Sequence, residues 1–270
     1  MPRVYTKRKI GDVIANGAEL VERIDNRLWK IKCRCGNVYP LSIAEGYQQG
    51  DIFVSSRTDC KTVLFWHYSG FAFILGEYDK TFLKEIYDII SDKNEINPRR
   101  FILFTDEERI KSFFSDKENI DIERRYFFEF NKVSAEIPDL PSDCELRTID
   151  AEILSKMEGR ITPYFSWSNA NDFLSNGKGY CVITNGEIAA WAFSAAVSDN
   201  EIDIGVETQE NYQHRGFAAI VSKAMLKYIL EHNKKPVWAC HYKNLASAKL
   251  AEKIGFAKIA ECFVIKRSEH

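Results

Sequence analysis

The run from Glu201 to Glu231, EIDIGVETQENYQHRGFAAIVSKAMLKYILE, constrains the fold more than any other part of this chain. Its first eight residues, EIDIGVET, carry the alternation of a half-buried strand. After Gly216 the period changes. Phe217, Ile220, Val221, Ala224, Tyr228 and Ile229 fall at helical spacing. A strand that turns straight into a helix belongs to a crossover unit, which commits this part of the chain to an α/β sheet. The turn, YQHRGFAA, reads in two ways. A helix start exposes amide N–H groups and the positive end of a dipole, so small residues there allow an anion to approach. Gln213, Gly216 and Ala218 give the pattern Gln-x-x-Gly-x-Ala. An ordinary glycine-containing turn explains the same residues.

The neighbouring elements follow from local signals. CELRTID (144–150) reads as a strand, and AEILSKM and SNANDFLSN as short helices, the second with a serine or asparagine cap. Two further strands precede the crossover strand. The first pair is joined at Asn185–Gly186, a hairpin signal, and the second at Ser198–Asp199–Asn200. After the long helix, Pro236 starts the strand VWACHY. A helix over LASAKLAEKI stops at Gly255, and KIAECFVIK is a last strand. The proline- and acid-rich stretch EIPDLPSD (136–143) reads as a linker, giving an N-terminal α/β domain over 1–135 and a second domain over 144–270.

The front half echoes the back half. TVLFWHYSGFAFILG (62–76) reads as a hairpin across Ser69–Gly70. KTFLKEIYDII is a helix, RFILF a strand, DEERIKSFFS a helix and ERRYFFEF a strand. This order matches the last five elements of the chain and suggests a degenerate repeat whose test is a crossover helix between neighbouring strands. No Gln-x-x-Gly-x-Ala precedes its first helix, so one anion site is expected per chain. In the first 50 residues WKIKCRC reads as a strand and LSIAEGYQQG as a helical turn followed by a loop.

Composition narrows the function classes. A net charge of −2 gives no global footprint for nucleic acid. No apolar run reaches the roughly 18 residues of a membrane span. Seven scattered cysteines suit reduced thiols in a cytoplasm better than a disulfide framework. The CRCG at 33–36 has no second pair to complete a zinc site, so no metal is expected.

Two motifs in order, Gln213-x-x-Gly216-x-Ala218 and then Asn244 with Leu250, Lys253, Gly255 and Phe256 in NLASAKLAEKIGF, resemble the GNAT superfamily of acyl-CoA N-acyltransferases. The resemblance covers about 144–266, and the run IGVET…GFA…PVWAC…LAEKIGF looks most like the zwittermicin A resistance type. It implies a mixed, centrally splayed sheet flanked by helices, with the pantetheine arm of acetyl-CoA lying in the splay. The implied cofactor-binding residues are Val206 and Thr208 on the strand, Gln213, His214, Arg215, Gly216, Phe217, Ala218 and Ala219 at the turn, and Asn244 and Ser247 downstream. Val206 would offer its N–H to the thioester carbonyl. Glu207 or Asp203, four residues apart on one strand face, would take the proton of the attacking amine, Glu207 being nearer the expected thioester. A solvated or salt-bridged strand carboxylate accounts for both equally well. Trp167, Trp191 and Trp238 read as core or pocket-wall residues, and Trp191 and Phe193 share a strand face that would suit an acceptor pocket. Where the family often carries a tyrosine acid, this chain has Ala251, leaving the leaving-group acid unassigned among Ser247, Tyr242, His241, Cys240 or none.

The function expected is transfer of an acetyl group from acetyl-CoA to a small amine in a ternary complex, by a cytoplasmic monomer or homodimer binding neither membrane nor nucleic acid. A catalytically inactive CoA-binding regulatory or scaffold protein is the alternative. Nucleic-acid binding through the basic start and the CRC segment is a third reading.

Overall fold

The computed structural model describes residues 3–6, 9–14, 35–54, 62–91, 100–131 and 139–268. The WKIKCRC reading falls outside the described residues except for Cys35. The chain divides into two compact units, residues 1–125 with 260–270, and Tyr126–Ile259. The division thus comes at 125/126, ahead of the proline-rich 136–143, and the C-terminal tail belongs with the front half. The reason is pairing: Phe263–Lys266 run antiparallel to Ile102–Thr105.

In the first unit the strands are β1 (Arg3–Thr6), β2 (Lys9–Ile14), β3 (Gly50–Val54), β4 (Thr62–His67), β5 (Phe71–Gly76) and β6 (Ile102–Thr105). The helices are α1 (Val38–Ala44), α2 (Lys80–Ser91) and α3 (Glu108–Ser115). β3, β4 and β5 form an antiparallel meander, and β1 joins β3 in parallel. β4 and β5 are near-continuous apolar runs because both of their faces are buried. α2 buries Phe82, Leu83, Ile86, Ile89 and Ile90, a stripe at helical spacing, in a cluster with Leu64, Trp66, Leu103, Phe114 and Ile265. It is also the crossover that the repeat required: β5 pairs in parallel with β6 over Phe71–Phe73 and Ile102–Phe104. The helix start is filled by its own side chain, since Asp79 Oδ1 accepts the N–H of Phe82 at 2.8 Å.

β7 (Ile120–Phe130) ends in the second unit with residues from Tyr126 onward. There follow β8 (Cys144–Thr148), α4 (Ala151–Lys156), α5 (Ala170–Asn176), β9 (Gly179–Thr184), β10 (Glu187–Val197) and β11 (Glu201–Thr208). The chain continues as α6 (Phe217–Glu231), β12 (Lys235–His241), α7 (Leu245–Lys253) and β13 (Phe256–Arg267). The two short helices have the caps their sequences announce. Asp150 accepts from Ile153 N–H at 2.8 Å and Asn169 from Asp172 N–H at 2.9 Å. The Asn185–Gly186 turn has both residues at positive φ, 52° and 77°, as a type I′ hairpin requires. β8 to β11 are antiparallel neighbours in chain order. β11 and β12 are parallel, with α6 as the crossover, and α7 ends at Gly255 with φ 105°.

Candidate active site

The site is built where β11 and β12 part. Their pairing covers only Glu201–Asp203 with Lys235–Val237, at the roots of both strands. Beyond Asp203 the two diverge, and burial follows. Ile202, Asp203 and Ile204 are buried, whereas Gly205 to Thr208 are half-buried. Two hydrogen bonds fix which backbone groups look into the gap. Lys235 N–H bonds Asn200 C=O at 2.8 Å, so even-numbered residues of this segment face β12, and Gln209 N–H bonds Ala189 C=O at 2.9 Å, so odd-numbered ones face β10. The N–H groups of Ile204, Val206 and Thr208 therefore lie along the unpaired edge. Val206, the residue that the resemblance singled out, is among them.

At the far end of β11 a short 3₁₀ turn, Glu210–Tyr212, leads to Gln213 and the start of α6. His214 has φ 64° and Gly216 φ 83°. Left-handed residues alternating with ordinary ones turn successive N–H groups towards one side, the geometry of an anion nest. Gly216 is the N-cap of α6 and no side chain caps the helix. The amides of Ala219 and Ile220 turn back to Gly216 C=O, but those of His214, Arg215, Gly216, Phe217 and Ala218 have no acceptor among the described residues. Five convergent donors at the positive end of a fifteen-residue helix suit a diphosphate in charge, size and exposure. The contrast with α2, whose start holds the Asp79 carboxylate, is one of chemistry rather than fold. Arg215 is exposed, with its guanidinium 5.2 Å above the ring of Tyr212.

Asn244 and Ser247 both have structural duties. Asn244 Oδ1 caps α7 by accepting Ser247 N–H at 3.1 Å, and Ser247 Oγ accepts the indole N–H of Trp238 at 3.1 Å. The Asn244 amide nitrogen, with no partner among the described residues, keeps its two donors for a ligand. Ser247, as acceptor from Trp238, still owns a hydroxyl proton.

The two carboxylates share a face of β11, as strand alternation requires, in very different surroundings. Asp203 sits at the root of the splay, paired with Ala196 and Val237, and is 4% exposed. Glu207 lies opposite Trp191 near the open end. Its Oε2 accepts the N–H of Ile161 at 2.6 Å and its Oε1 that of Arg160 at 3.2 Å. The indole N–H of Trp191 bonds Ile161 C=O at 2.8 Å, and Gln209 Nε2 bonds Glu158 C=O at 2.6 Å. Strand side chains thus staple the segment 158–161 after α4 at three points. These polar staples carry no sequence motif. The pairing of Glu207 with amides 46 and 47 residues away was invisible in the chain.

Of the two readings of Trp191 the structure has the core one, and neither it nor Phe193 forms an open pocket wall: both are fully buried. Phe193 lies over Gly205, where an added Cβ would stand 2.7 Å from its ring, so only glycine lets the ring cover β11 between the carboxylates. Ala251, which stands where the resemblance implied a tyrosine acid, is fully buried. Cys240 is 4% exposed, whereas His241 and Tyr242 are half-buried with their rings 4.8 Å apart. Among the described residues no cluster of His, Cys, Asp and Glu has the geometry to hold a metal ion. No described helix is long and apolar enough to cross a membrane.

A family model described as GNAT acetyltransferase matches residues 37–263. An uncharacterized N-acetyltransferase, YdfB, from Bacillus subtilis (strain 168) is 25% identical over 228 residues, covering 82% of this chain and 86% of that protein. The crystal structure of a GCN5-related N-acetyltransferase-like protein from Streptococcus suis superposes with a TM-score of 0.71 at 21% identity, over 93% of this chain and 99% of the other. A GCN5-related N-acetyltransferase from Kribbella flavida gives 0.56 at 13% identity, over 78% of this chain and 88% of that one.

Proposed function

Since this chain belongs to the GNAT acetyltransferase family, we propose that it transfers an acetyl group from acetyl-CoA to the amine of a small molecule. The observation that carries the reading is the pairing of five amides, 214 to 218, that have no acceptor among the described residues, with an unpaired strand edge that ends beside them. The amides and Arg215 take the diphosphate, by backbone donors and a charged group. Gln213 and Ala219 flank that cradle. Asn244 donates to the pantetheine arm in the gap, and Ser247 lies one helical turn further on. Val206 N–H polarises the thioester carbonyl, with the Thr208 amide two residues beyond on the same edge. Such a donor is effective because it is in place before charge develops.

Catalysis then asks little of the side chains. The amine nitrogen attacks the thioester carbon, the C–S bond breaks, and the amine gives up a proton. Of the two carboxylates the half-buried Glu207, rather than the buried Asp203, is our choice to accept it. Two of its roughly four lone-pair sites hold Arg160 and Ile161, and the others remain for a proton delivered directly or through water. Asp203 is buried at the strand root and supports the sheet. The thiolate leaves and takes its proton from solvent, since position 251 holds no acid. The narrower likeness to the zwittermicin A resistance type, proposed from IGVET…LAEKIGF, would make the acceptor an amine-bearing antibiotic. The test is release of free thiol from acetyl-CoA in the presence of a panel of amines. Amine-dependent thiol release that falls at least a hundredfold in Glu207→Gln supports the reading. CoA binding with no turnover across the panel would favour the inactive CoA-binding alternative.

A further inference from the structure

The nest at 214–218 is an unusual place for a chain to rest, and the structure shows what keeps it there. His214 holds φ 64° without being glycine, a conformation that persists only when its surroundings over-determine it. The loop itself supplies no such restraint, because the amides from 214 to 218 bond nothing among the described residues. Restraint therefore comes from the two ends. Downstream, the loop runs directly into α6. Upstream, the anchor is Tyr212.

Tyr212 is 9% exposed, although its neighbours Asn211 and Gln213 are both exposed. Its amide closes the 3₁₀ turn on Gln209 C=O at 2.9 Å. Its hydroxyl donates to Glu187 Oε2 at 2.6 Å, on the first residue of β10. The ring lies 6.5 Å from that of Phe217, the first residue of α6, and supports the guanidinium of Arg215. One side chain thus touches the strand next door and both sides of His214. The hydrogen bond to Glu187, and then burial, raise the Tyr212 pKa, so the phenol keeps the proton it donates.

We infer that Tyr212 and Glu187 form a latch that holds the 213–218 loop in its anion-binding conformation, making both residues positioning residues for the acyl donor. This rests on the CoA reading above and adds to it. Neither residue belongs to the motif, and neither has a backbone or side-chain group among the five nest donors. Without the latch the loop spends most of its time in conformations whose amides diverge. Apparent affinity falls by the fraction that remains competent, so a population of about one-fifth to one-tenth weakens binding fivefold to tenfold.

The charge of Glu187 makes the inference testable against simple electrostatics. A carboxylate near a diphosphate repels it, so on Coulombic grounds any neutral replacement should tighten binding. The latch predicts otherwise for alanine. Titration calorimetry with CoA on the full chain, for wild type, Tyr212→Phe, Glu187→Ala, Glu187→Gln and the Tyr212→Phe/Glu187→Ala pair, separates the two. Tyr212→Phe and Glu187→Ala should each weaken CoA about fivefold to tenfold. The double variant should be no weaker than either single one, because both remove the same bond. Glu187→Gln keeps an acceptor oxygen and should bind within twofold of wild type. Melting curves of the same proteins identify any variant that has lost its fold, and the remaining pair of measurements then decides. Unchanged or tighter binding in Glu187→Ala, full additivity in the double variant, or a Gln variant as weak as the Ala variant would overturn the latch. Absence of CoA binding by the wild type would instead overturn the CoA reading on which it rests.

Discussion

The stapled segment 158–161 allows one substitution to be worked through from atoms to a melting curve. The backbone at Gly159 is not left-handed, so alanine there meets no conformational penalty, only its neighbours. Its Cβ would stand 2.6 Å from Cζ2 and 2.9 Å from Cη2 of Trp191, and 2.7 Å from Oε2 of Glu207. Neither neighbour can easily retreat. Trp191 is fully buried and tied to Ile161 C=O at 2.8 Å, and Oε2 is held by Ile161 N–H at 2.6 Å. The segment must lift. Overpacking of this kind costs about 1–3 kcal/mol. Loss of one half-buried hydrogen bond to a charged acceptor adds about 1–2 kcal/mol. Together they lower the melting temperature by roughly 7–18 °C for a body of the size of Tyr126–Ile259. Scanning calorimetry on the full chain measures it. Trp191→Phe deletes the ring atoms that the new methyl strikes, so the double variant should lose less than the sum of the single losses. CoA affinity should stay unchanged, because the nest lies elsewhere. Gly159→Ala melting within about 2 °C of wild type would refute the argument that Trp191 and Glu207 hold this segment in place.

Other outcomes follow from the same geometry. Asn244→Asp preserves the acceptor that caps α7, so stability should stay within about 0.5 kcal/mol while CoA weakens severalfold for want of a donor; Asn244→Ala should lose about 1 kcal/mol as well. Thermal melts and CoA titration separate the two effects. Burial raises the Cys181 thiol from the usual 9.0 to about 11. The folded state therefore keeps a proton that the unfolded state gives up, and stability present below about pH 9 should be lost as pH rises towards 11. Cys181→Ala should flatten that part of a stability–pH curve measured by urea unfolding. In the first unit, Asp79→Ala removes the cap of α2 at a cost of about 1 kcal/mol. It should leave the number of CoA molecules bound unchanged, since the residues before α2 are Glu77 and Tyr78 rather than small ones.

What could be read in the chain was what depends on local spacing. The strand-to-helix switch at Gly216, the Asn185–Gly186 hairpin and the glycine stop at 255 all reflect short-range rules, and the structure has each of them. The front-half crossover also followed from element order, because α2 appears between the parallel strands β5 and β6. The unit boundary did not follow. Proline and acidic residues at 136–143 read as a linker, but which strand completes each unit depends on long-range pairing, such as that of β13 with β6. The site divides in the same way. The left-handed turn at His214–Gly216 and the unpaired edge that carries Val206 N–H follow local spacing and strand parity, and the role proposed for them rests on that geometry. Whether Trp191 and Phe193 were core or pocket wall stayed open, because alternation gives a face and not what covers that face. Glu207 was visible as a carboxylate near the gap, but its duty to residues 160 and 161 depends on a loop folding back across the sequence. Tyr212 gave no signal, since a tyrosine before a glycine turn has no recognisable chemistry until Glu187 is found beneath it.

The central claim is that the uncapped start of α6, and no other helix start among the described residues, seats the diphosphate of an acyl-CoA. Calorimetric titration of the full chain with CoA, alongside Gly216→Val, tests it most directly. Valine resists φ 83° and puts a branched side chain into the cradle. The account predicts one CoA bound per chain and at least a thirtyfold loss of affinity in Gly216→Val, with the melting temperature lowered by only a few degrees. Two equivalent CoA molecules per chain, or undiminished binding by Gly216→Val, would contradict it.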